Sequence, residues 1–347
     1  MNITSNFTHD WETSFCFKPS FAYPVAAFYI AVTVVATIGN LMVCYAILTD
    51  KNLRNNPSNL LLLSLAVADL LTATIVMPFD TESLFLNFAW KHGRAVCLTW
   101  QLVYLFVVPV SIFSLLVIII DRYQTLSDFH GRFGCSWFMT KQRALIVIAT
   151  IWLYSILWAL LPVMGWRREG DFLEDGICIL SYTKTYTIVS SFLNIILPLQ
   201  VSCGFSILVY HIIRKHEKAL SNTEHNSSQQ LTKEQQEMYL KNIKAAKKSS
   251  VFVLAIYVCW QPYALWLVSD TITSKKWTSF DHEVYMVLLM FGFLNSALNP
   301  FLFAFRNKRF RAVYAKRFPS SEHRSHLSIQ DSNVTELDRF DHDTKTA

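Results

Sequence analysis

The chain has 347 residues, of which 52% are hydrophobic and 16% are charged, and its mean hydropathy is +0.30. A water-soluble domain usually carries about a quarter charged residues, so this composition argues against a soluble fold. The formal net charge of +6 would suit nucleic-acid binding, but the basic residues lie in gaps between apolar runs. The charge pattern therefore favours a lipid surface over nucleic acid as the partner.

Seven apolar runs determine the fold class. A helix that crosses a membrane needs about 20 mostly apolar residues. Runs of that kind begin near Phe21, Asn59, Leu98, Ala144, Tyr186, Ser250 and Val284. Buried helices of a large soluble protein would carry polar faces, which these runs lack. We therefore predict an all-α membrane protein, a seven-transmembrane helix bundle.

The parts of the chain outside the apolar runs complete this domain organisation. An extracellular segment is expected at 1–20, and the transmembrane domain at 21–318 ends in a short amphipathic eighth helix. The tail at 319–347 is polar and rich in serine, histidine and aspartate, so we expect it to be disordered.

Lysine and arginine in the loops set the orientation, because basic loops stay in the cytoplasm. They concentrate after the first, third, fifth and seventh runs, whereas the opposite loops include the acidic stretch EGDFLEDG. We therefore predict a multi-pass plasma-membrane protein with an extracellular N-terminus. Asn2 and Asn6 then lie in extracellular N-x-T triplets, which are acceptors for glycosylation.

Three of the cysteines fall on the predicted extracellular side. Cys97 opens the third run, and Cys178 lies in the loop between the fourth and fifth runs. Because this compartment is oxidising, we predict a disulfide between Cys97 and Cys178. Cys16 is also extracellular and has no obvious partner.

Polar side chains within the runs are expected to face the interior of the bundle, because they are costly in lipid. Asp69 is the only carboxylate deep within a run. One interpretation is a site for sodium or a proton, since hard cations prefer oxygen ligands. That site would comprise Asp69, Ser111, Asn295, Ser296 and Asn299. The other interpretation is a hydrogen-bonded cluster that only ties helices together.

Prolines interrupt four of the runs, at Pro109, Pro198, Pro262 and Pro300. Each removes a backbone hydrogen bond and is expected to produce a kink or hinge. Trp260 lies two residues before Pro262, so a bulky side chain accompanies one hinge. Ordinary core packing is the alternative interpretation of this tryptophan.

Asp121, Arg122 and Tyr123 follow an unbroken apolar stretch at the end of the third run. From the residues alone, two interpretations are open. The charges mark the place where a helix leaves the membrane, or they form a part that moves during function.

Eight short motifs follow one another along the chain in a recognisable order. They are GN at 39–40, LAVAD at 65–69, W-x-x-G at 90–93, DRY at 121–123, Trp152, Pro198, CWQP at 259–262 and NPFLF at 299–303. In this order they resemble the rhodopsin-like (class A) G protein-coupled receptors over nearly the whole chain. The pattern is most similar to that of receptors for biogenic amines.

The resemblance implies a switch that activates a heterotrimeric G protein after an extracellular small molecule binds. By analogy with that family, Arg122 would pair with Asp121 in the resting state. It would engage the G protein when the helices open. Asn299, Pro300 and Phe303 would form a second part of the switch. Arrestin and a receptor kinase would act on the serine-rich tail, and lipid would surround the bundle.

The resemblance also locates a ligand cavity in the outer half of the bundle. Aromatic walls with a few polar groups suit a small molecule, although they also suit plain helix packing. The expected lining is Tyr104, Val108, Ser190, Ser191, Asn194, Trp260, Tyr263 and Tyr285, with Asp80 as a further candidate.

Departures from the family pattern concern the ligand. Tyr104 stands where amine receptors have the aspartate that pairs with the protonated amine, and tyrosine cannot supply that charge. Asp80 and Glu82 offer an alternative counter-charge, but acids in a water-facing loop are the simpler interpretation. Phe293 stands where opsins attach retinal, so we expect no cofactor other than the candidate sodium ion.

Other departures concern the switch. Phe303 replaces a tyrosine that is usual in the family, and Asn242 lies where some relatives have a glutamate that locks the arginine. Ser206 replaces another usual tyrosine in the fifth run. We hypothesise a shifted balance between the resting and active states.

Two further classes of function remain as alternatives, whereas an enzyme is not expected because no nucleophile–base constellation is present. One alternative is a receptor-like protein that modulates other receptors without its own ligand response. The other is an ion-coupled transporter that uses Asp69, which the absence of inverted repeats makes weaker.

Overall fold

A computed structural model gives the fold and describes residues 16–127, 139–170, 172–174, 176–178, 181–223, 233–301 and 308–317. The predicted glycosylation sites Asn2 and Asn6 and the switch residue Phe303 lie outside the described residues. So does the predicted tail at 319–347, and the side chain of Asn242 is likewise not described.

The described part of the chain consists of helices and one short hairpin. The first six helices are α1 (Pro19–Thr49), α2 (Lys51–Arg54), α3 (Pro57–Leu71), α4 (Met77–Leu86), α5 (Gly93–Ser127) and α6 (Lys141–Leu160). The others are α7 (Lys184–Ser191), α8 (Leu197–Thr223), α9 (Lys233–Thr273), α10 (Ser279–Pro300) and α11 (Lys308–Arg317).

Two π-helical segments connect helices that together form single spans. Thr72–Val76 joins α3 to α4, and Phe192–Ile196 joins α7 to α8. Each segment is followed within two residues by a proline, Pro78 or Pro198. Because proline cannot donate to the preceding turn and clashes with it, the wider π turn relieves the strain without ending the helix.

Six helical stretches in the described chain are long and apolar enough to cross a membrane. They are Pro19–Thr49, Pro57–Leu86, Gly93–Ser127, Lys141–Leu160, Lys184–Lys215 and Ser249–Thr273, and they match the first six predicted runs. α10 occupies the seventh run but is less apolar, because its inner half carries Asn295, Ser296 and Asn299. The seven-helix bundle predicted from the sequence is confirmed.

The outward faces of the bundle are apolar, as lipid requires. Ile146 is 64% exposed, Leu153 is 60% exposed and Val258 is 62% exposed. A water-soluble protein rarely exposes contiguous apolar surface of this kind, so these faces indicate a hydrocarbon environment.

α5 lies at the centre of the bundle, where it contacts α3, α6, α8 and α9, while α1 packs against α3 and α10. A Cβ at Gly39 would lie 2.6 Å from Pro300 Cγ, so glycine allows α1 to approach α10 closely. Next to it, Asn40 Nδ2 donates to the carbonyl oxygen of Ser296 at 2.9 Å. The two residues of the GN motif therefore fix α1 to the inner half of α10.

A short hairpin covers part of the end of the bundle at which α5 begins. β1 (Leu173–Glu174) pairs antiparallel with β2 (Ile177–Cys178), and the predicted disulfide joins Cys97 to Cys178 with a Cα–Cα distance of 5.6 Å. The backbone N–H of Trp90 donates to the carbonyl oxygen of Gly176 at 2.7 Å. The hairpin is thus fixed both to the start of α5 and to the loop before it.

α11 is the amphipathic helix expected after the seventh span. Phe310 is fully buried with Val43 and Ile47 of α1, and Tyr314 packs against the same cluster. The arginine and lysine residues of α11 at 309, 311, 316 and 317 are exposed. This placement suits a helix that lies at the cytoplasmic membrane surface.

Candidate functional site

The buried carboxylate of Asp69 lies between α3 and α10. Its side chain is fully buried, Ser296 Oγ donates to Asp69 Oδ1 at 2.7 Å, and Asn299 Nδ2 donates to Asp69 Oδ2. Ser111 and Asn295 are also buried, but neither is hydrogen-bonded to Asp69 in the described structure. The structure therefore assembles three of the five predicted oxygen donors into one cluster.

Asn299 has an amide oxygen that gives the cluster a spare acceptor. Its Oδ1 is buried and has no hydrogen-bond partner among the described residues. A carboxylate, a hydroxyl and a free amide oxygen form the kind of donor set that a hard cation prefers. The cluster thus fits both interpretations made from the sequence.

A polar network lies near the C-terminal end of α5. Arg122 Nη2 lies 3.0 Å from Asp121 Oδ2, and the same guanidinium donates to Ser58 Oγ. Ser58 Oγ donates in turn to Asp121 Oδ2 at 3.0 Å. Asp121 is 7% exposed, so water screens this ion pair less than it would screen a surface pair.

Local sequence at the start of α3 positions Ser58 for this network. Pro57 opens the helix, and the side chain of Asn56 accepts a hydrogen bond from the backbone N–H of Ser58 at 3.1 Å. An asparagine N-cap followed by proline is a preferred helix start. The cap fixes the first turn of α3, from which Ser58 reaches α5.

An apolar cluster joins three helices at the same end of the bundle as the Asp121–Arg122 pair. Its buried members are Ile119, Leu126, Val209, Ile213, Ile243, Ala246 and Val253, from α5, α8 and α9. The ring of Tyr123 adds an edge contact with Phe205, with centroids 5.4 Å apart. These contacts must separate before a partner can insert between α9 and the other two helices.

The outer half of the bundle contains a continuous aromatic cluster. Tyr104 Oη donates to Tyr263 Oη at 2.8 Å. The ring centroid of Trp260 lies 5.9 Å from that of Tyr263 and 6.1 Å from that of Phe293. The ring centroids of Tyr285 and Tyr263 are 6.2 Å apart. Four of the predicted lining residues thus contact one another directly or through Phe293, while Val108 is buried in the same apolar core.

Trp260 rests directly on α10. A Cβ built at Gly292 would lie 2.9 Å from Trp260 Cζ3, so only glycine accommodates the indole in this position. Within the described chain, Trp260 Nε1 is buried without a hydrogen-bond partner. The ring is therefore held by packing alone. A small shift of α10 can change its position.

The predicted polar residues of the fifth span lie at the junction of α7 and its π segment. Asn194 Nδ2 donates to Ser190 Oγ at 3.1 Å, and Asn194 Oδ1 is buried without a partner in the described structure. Ser191 is buried as well. The π segment adds a residue to the turn here, which alters the faces that these side chains occupy.

Asp80 and Glu82 lie two residues apart on α4 but in different environments. Glu82 is partly exposed, and its Oε2 lies 2.6 Å from His92 Nε2. Asp80 is 5% exposed, and its Oδ2 has no hydrogen-bond partner in the described part of the chain. The water-facing interpretation made from the sequence is therefore wrong for Asp80, because α4 continues the second span and turns this side chain inward.

Three residues at these sites were not predicted to belong to them, namely Ser58, Tyr29 and Phe293, of which Phe293 was considered only as a position without lysine. Nothing in the sequence indicates that Ser58 joins the Asp121–Arg122 pair, because a serine at a helix start is ordinarily a capping residue. Tyr29 and Phe293 lie in apolar runs where an aromatic residue ordinarily indicates lipid or core packing. Their rings are 6.1 Å apart in the outer half of the bundle.

Comparison with known proteins agrees with the resemblance that the sequence motifs indicate. A family model described as the seven-transmembrane receptors of the rhodopsin family matches residues 39–303. The chain is similar to octopamine receptor beta-2R of Chilo suppressalis, with 27% identity over 88% of this chain and 80% of that receptor.

Vertebrate receptors are similar to the same degree. A D(5)-like dopamine receptor of Takifugu rubripes is 28% identical over 90% of this chain and 71% of its own length. The 5-hydroxytryptamine receptor 4 of Homo sapiens is 29% identical over 82% of this chain and 76% of its own length.

Proposed function

Because the chain belongs to the rhodopsin family of seven-transmembrane receptors, we propose that release of Arg122 from Asp121 and Ser58 is its signalling step. Members of this family are receptors rather than enzymes, and they bind small molecules and signal through G proteins. The protein is accordingly a multi-pass receptor of the plasma membrane.

The observation that carries the proposal is the closed cytoplasmic end of the bundle. Arg122 is held by a carboxylate and a hydroxyl from two helices, and the apolar cluster of α5, α8 and α9 lies beside it. A two-state bundle of this kind responds to a ligand that binds one state better than the other. The active state is the one in which the cluster opens and Arg122 becomes available to a G protein.

The route from the outer cavity to this network passes through Trp260. Its ring contacts Tyr263 on the cavity side and Gly292 on α10, and Pro262 lies inside α9. A ligand that moves the ring would bend α9 at the proline and shift α10, which carries Asn299. That shift would rearrange the Asp69 cluster and allow the inner end of α9 to swing outward.

The relatives are named for octopamine, dopamine and 5-hydroxytryptamine, each a small aromatic amine. We infer a ligand of that size for this chain, bound in the outer half of the bundle. The aromatic cluster of Tyr104, Trp260, Tyr263 and Tyr285 suits an aromatic ring. Ser190, Ser191 and Asn194 would supply polar groups from the fifth span.

A sodium ion at Asp69 is proposed as an allosteric ligand of the resting state. Asp69, Ser296 and Asn299 would hold it, with Ser111 and Asn295 as further oxygen donors. The spare amide oxygen of Asn299 supports this assignment. Bound sodium would supply only charge compensation, and it would tie α3 to α10 as long as it stays.

The orientation and the regulatory partners are proposals of the same kind. Basic residues in the loops and in α11 support a cytoplasmic C-terminus and an extracellular N-terminus. The serines of the tail at 319–347 are proposed as sites for a receptor kinase, and the phosphorylated tail as a site for arrestin.

The test is ligand-free activation of a panel of G proteins in cells, at matched surface expression. We expect a basal signal in at least one channel, and we expect Arg122→Ala to abolish it, because the guanidinium is the group that engages the G protein. Arg54→Ala is the matched control, since Arg54 is an exposed arginine, proposed to be cytoplasmic, whose one side-chain partner among the described residues is the carbonyl oxygen of Leu48.

An unchanged signal in Arg122→Ala would contradict the proposal. Silence of the wild type in every channel would favour the receptor-like protein that modulates other receptors. Ion or solute flux that is lost in Asp69→Asn would favour the transporter instead.

A further inference from the structure

Asp80 is a buried carboxylate that the signalling mechanism does not use. It is 5% exposed, its Oδ2 has no hydrogen-bond partner, and it forms no ion pair among the described residues. A buried carboxylate is costly unless a proton, a cation or hydrogen bonds compensate it. Since the described structure supplies neither hydrogen bonds to Oδ2 nor an ion pair, a proton or a cation from outside the chain must compensate this carboxylate.

Four tyrosine side chains lie within electrostatic range of this carboxylate. Asp80 interacts electrostatically with Tyr29, Tyr104, Tyr263 and Tyr285, which come from α1, α5, α9 and α10. In the described structure none of the four hydroxyls is hydrogen-bonded to it. Tyr29 Oη donates instead to the carbonyl oxygen of Met286 at 3.1 Å, and Tyr104 Oη donates to Tyr263 Oη.

The chemistry of this group of side chains selects one class of cation. A metal ion such as sodium or calcium needs several oxygen ligands at close range, and here one carboxylate is accompanied by aromatic rings. A negative group within a set of electron-rich rings is the arrangement that binds organic ammonium ions, through an ion pair and cation–π contacts. An ammonium group also loses less hydration energy than a small metal ion.

We propose that Asp80 is the counter-ion for the protonated nitrogen of the ligand, so the receptor takes an organic ammonium compound. The inference rests on the proposed function only in placing the ligand in the outer half of the bundle. In the amine receptors that this chain resembles, the counter-charge lies at the position of Tyr104, on α5. Here it lies on α4, and Tyr104 becomes part of the aromatic wall.

The proposal explains why the two acids of α4 differ. Glu82 already has His92 as its partner at 2.6 Å and is partly exposed, so it has no need of a ligand. Asp80 is the acid that has no partner among the described residues and is therefore the one available to a cationic ligand. Glu82→Gln is therefore a matched control for Asp80→Asn, on the same helix and with the same chemical change.

The test measures binding without a G protein, as the thermal stability of the purified full-length receptor. The probes are phenethylamine and choline, each compared with its neutral isostere, phenethyl alcohol or the carbon analogue of choline. We expect at least one of the two cations to raise the Tm of the wild type and of Glu82→Gln, and the neutral isosteres to leave it unchanged. In Asp80→Asn the apparent dissociation constant should rise by at least about 30-fold.

A second readout distinguishes a lost counter-ion from a damaged fold. Without any probe, Asp80→Asn should be about as stable as the wild type, because asparagine keeps the size of the side chain and removes the cost of burying a carboxylate. Equal stabilisation by cations and neutral isosteres would overturn the proposal, as would no stabilisation by either cation. A cation effect that persists in Asp80→Asn would overturn it too.

These outcomes are independent of the signalling step. If cation binding fails while the basal signal still depends on Arg122, only the identity of the counter-ion is wrong. If cation binding depends on Asp80 but Arg122→Ala leaves the signal unchanged, the switch is wrong and the binding site stands.

Discussion

Ser58 shows how one small side chain can decide the energy of a switch. It is hydrogen-bonded to both members of the Asp121–Arg122 pair, so the pair is a three-membered network that links α3 to α5. Exposed ion pairs contribute little, about 0–1 kcal/mol, whereas this one is partly buried and hydrogen-bonded. The resting state thus depends on a helix that the DRY motif alone does not reveal.

Gly292 is the residue at which the position of Trp260 can be tested. In Gly292→Ala the added methyl group would meet the far edge of the indole, and the ring must shift at a cost of about 1–3 kcal/mol. Because the cost falls on the resting state, we expect basal signalling to rise by about fivefold or more and the Tm of the unliganded receptor to fall.

Gly204→Ala is the matched control, because a Cβ at Gly204 meets nothing within 4 Å. Basal G protein activation and thermal stability are measured for both variants. Equal behaviour of the two alanine variants would show that the ring position has no part in the switch.

The helices α3 and α10 are joined at Asp69 by its hydrogen bonds to Ser296 and Asn299. The stability of this link depends on whether the cluster also binds sodium. If the cluster holds sodium, sodium chloride should raise the Tm of the purified receptor above the value in equimolar potassium chloride. Asp69→Asn should remove this difference, because the amide offers no charge to the ion.

Glu283→Gln, which changes an acid near the outer end of α10, should leave the ion dependence unchanged. A wild type that is equally stable in both salts would favour the other interpretation, in which Ser296 and Asn299 only tie the helices together.

The helices themselves were predictable because a span needs length and apolar composition, and both can be read directly from residues. The disulfide could be predicted because topology places Cys97 and Cys178 in one compartment. The π segments could not be predicted, since a proline in a helical run is compatible with a kink, a wider turn or an end. The burial of Asp80 could not be predicted either. The apolar pattern of the second run does not show that its helix continues through α4 and turns this side chain inward.

Contacts between distant residues limited the prediction of the sites in the same way. The motifs predicted that Asp121 and Arg122 form a pair, but not that Ser58, 63 residues before Asp121, joins it. Likewise, Phe293 was considered only as a position without lysine, whereas its ring bridges Tyr104 and Trp260. Residue type indicates which chemistry is available, and packing decides which groups meet.

The whole molecule is a bundle with an aromatic cluster at one end, where we propose that the ligand binds, and a polar network at the other. The core between them is continuous from Tyr29 and Tyr263 to Leu115 and Ile118. Close-packed interiors transmit displacement because they have few voids. Opening the end of the bundle that carries Asp121 and Arg122 should therefore be sufficient for signalling, even when no ligand is bound in the outer half.

Basal G protein activation by Asp121→Asn, compared at matched surface expression with wild type and with Asp121→Asn/Arg122→Ala, tests this claim most directly. Loss of the ion pair should weaken the resting state by about 1–2 kcal/mol, a change of about 5- to 30-fold in the equilibrium. We predict a raised basal signal in Asp121→Asn and silence in the double variant. A double variant as active as Asp121→Asn, or a single variant no more active than wild type, would contradict the account.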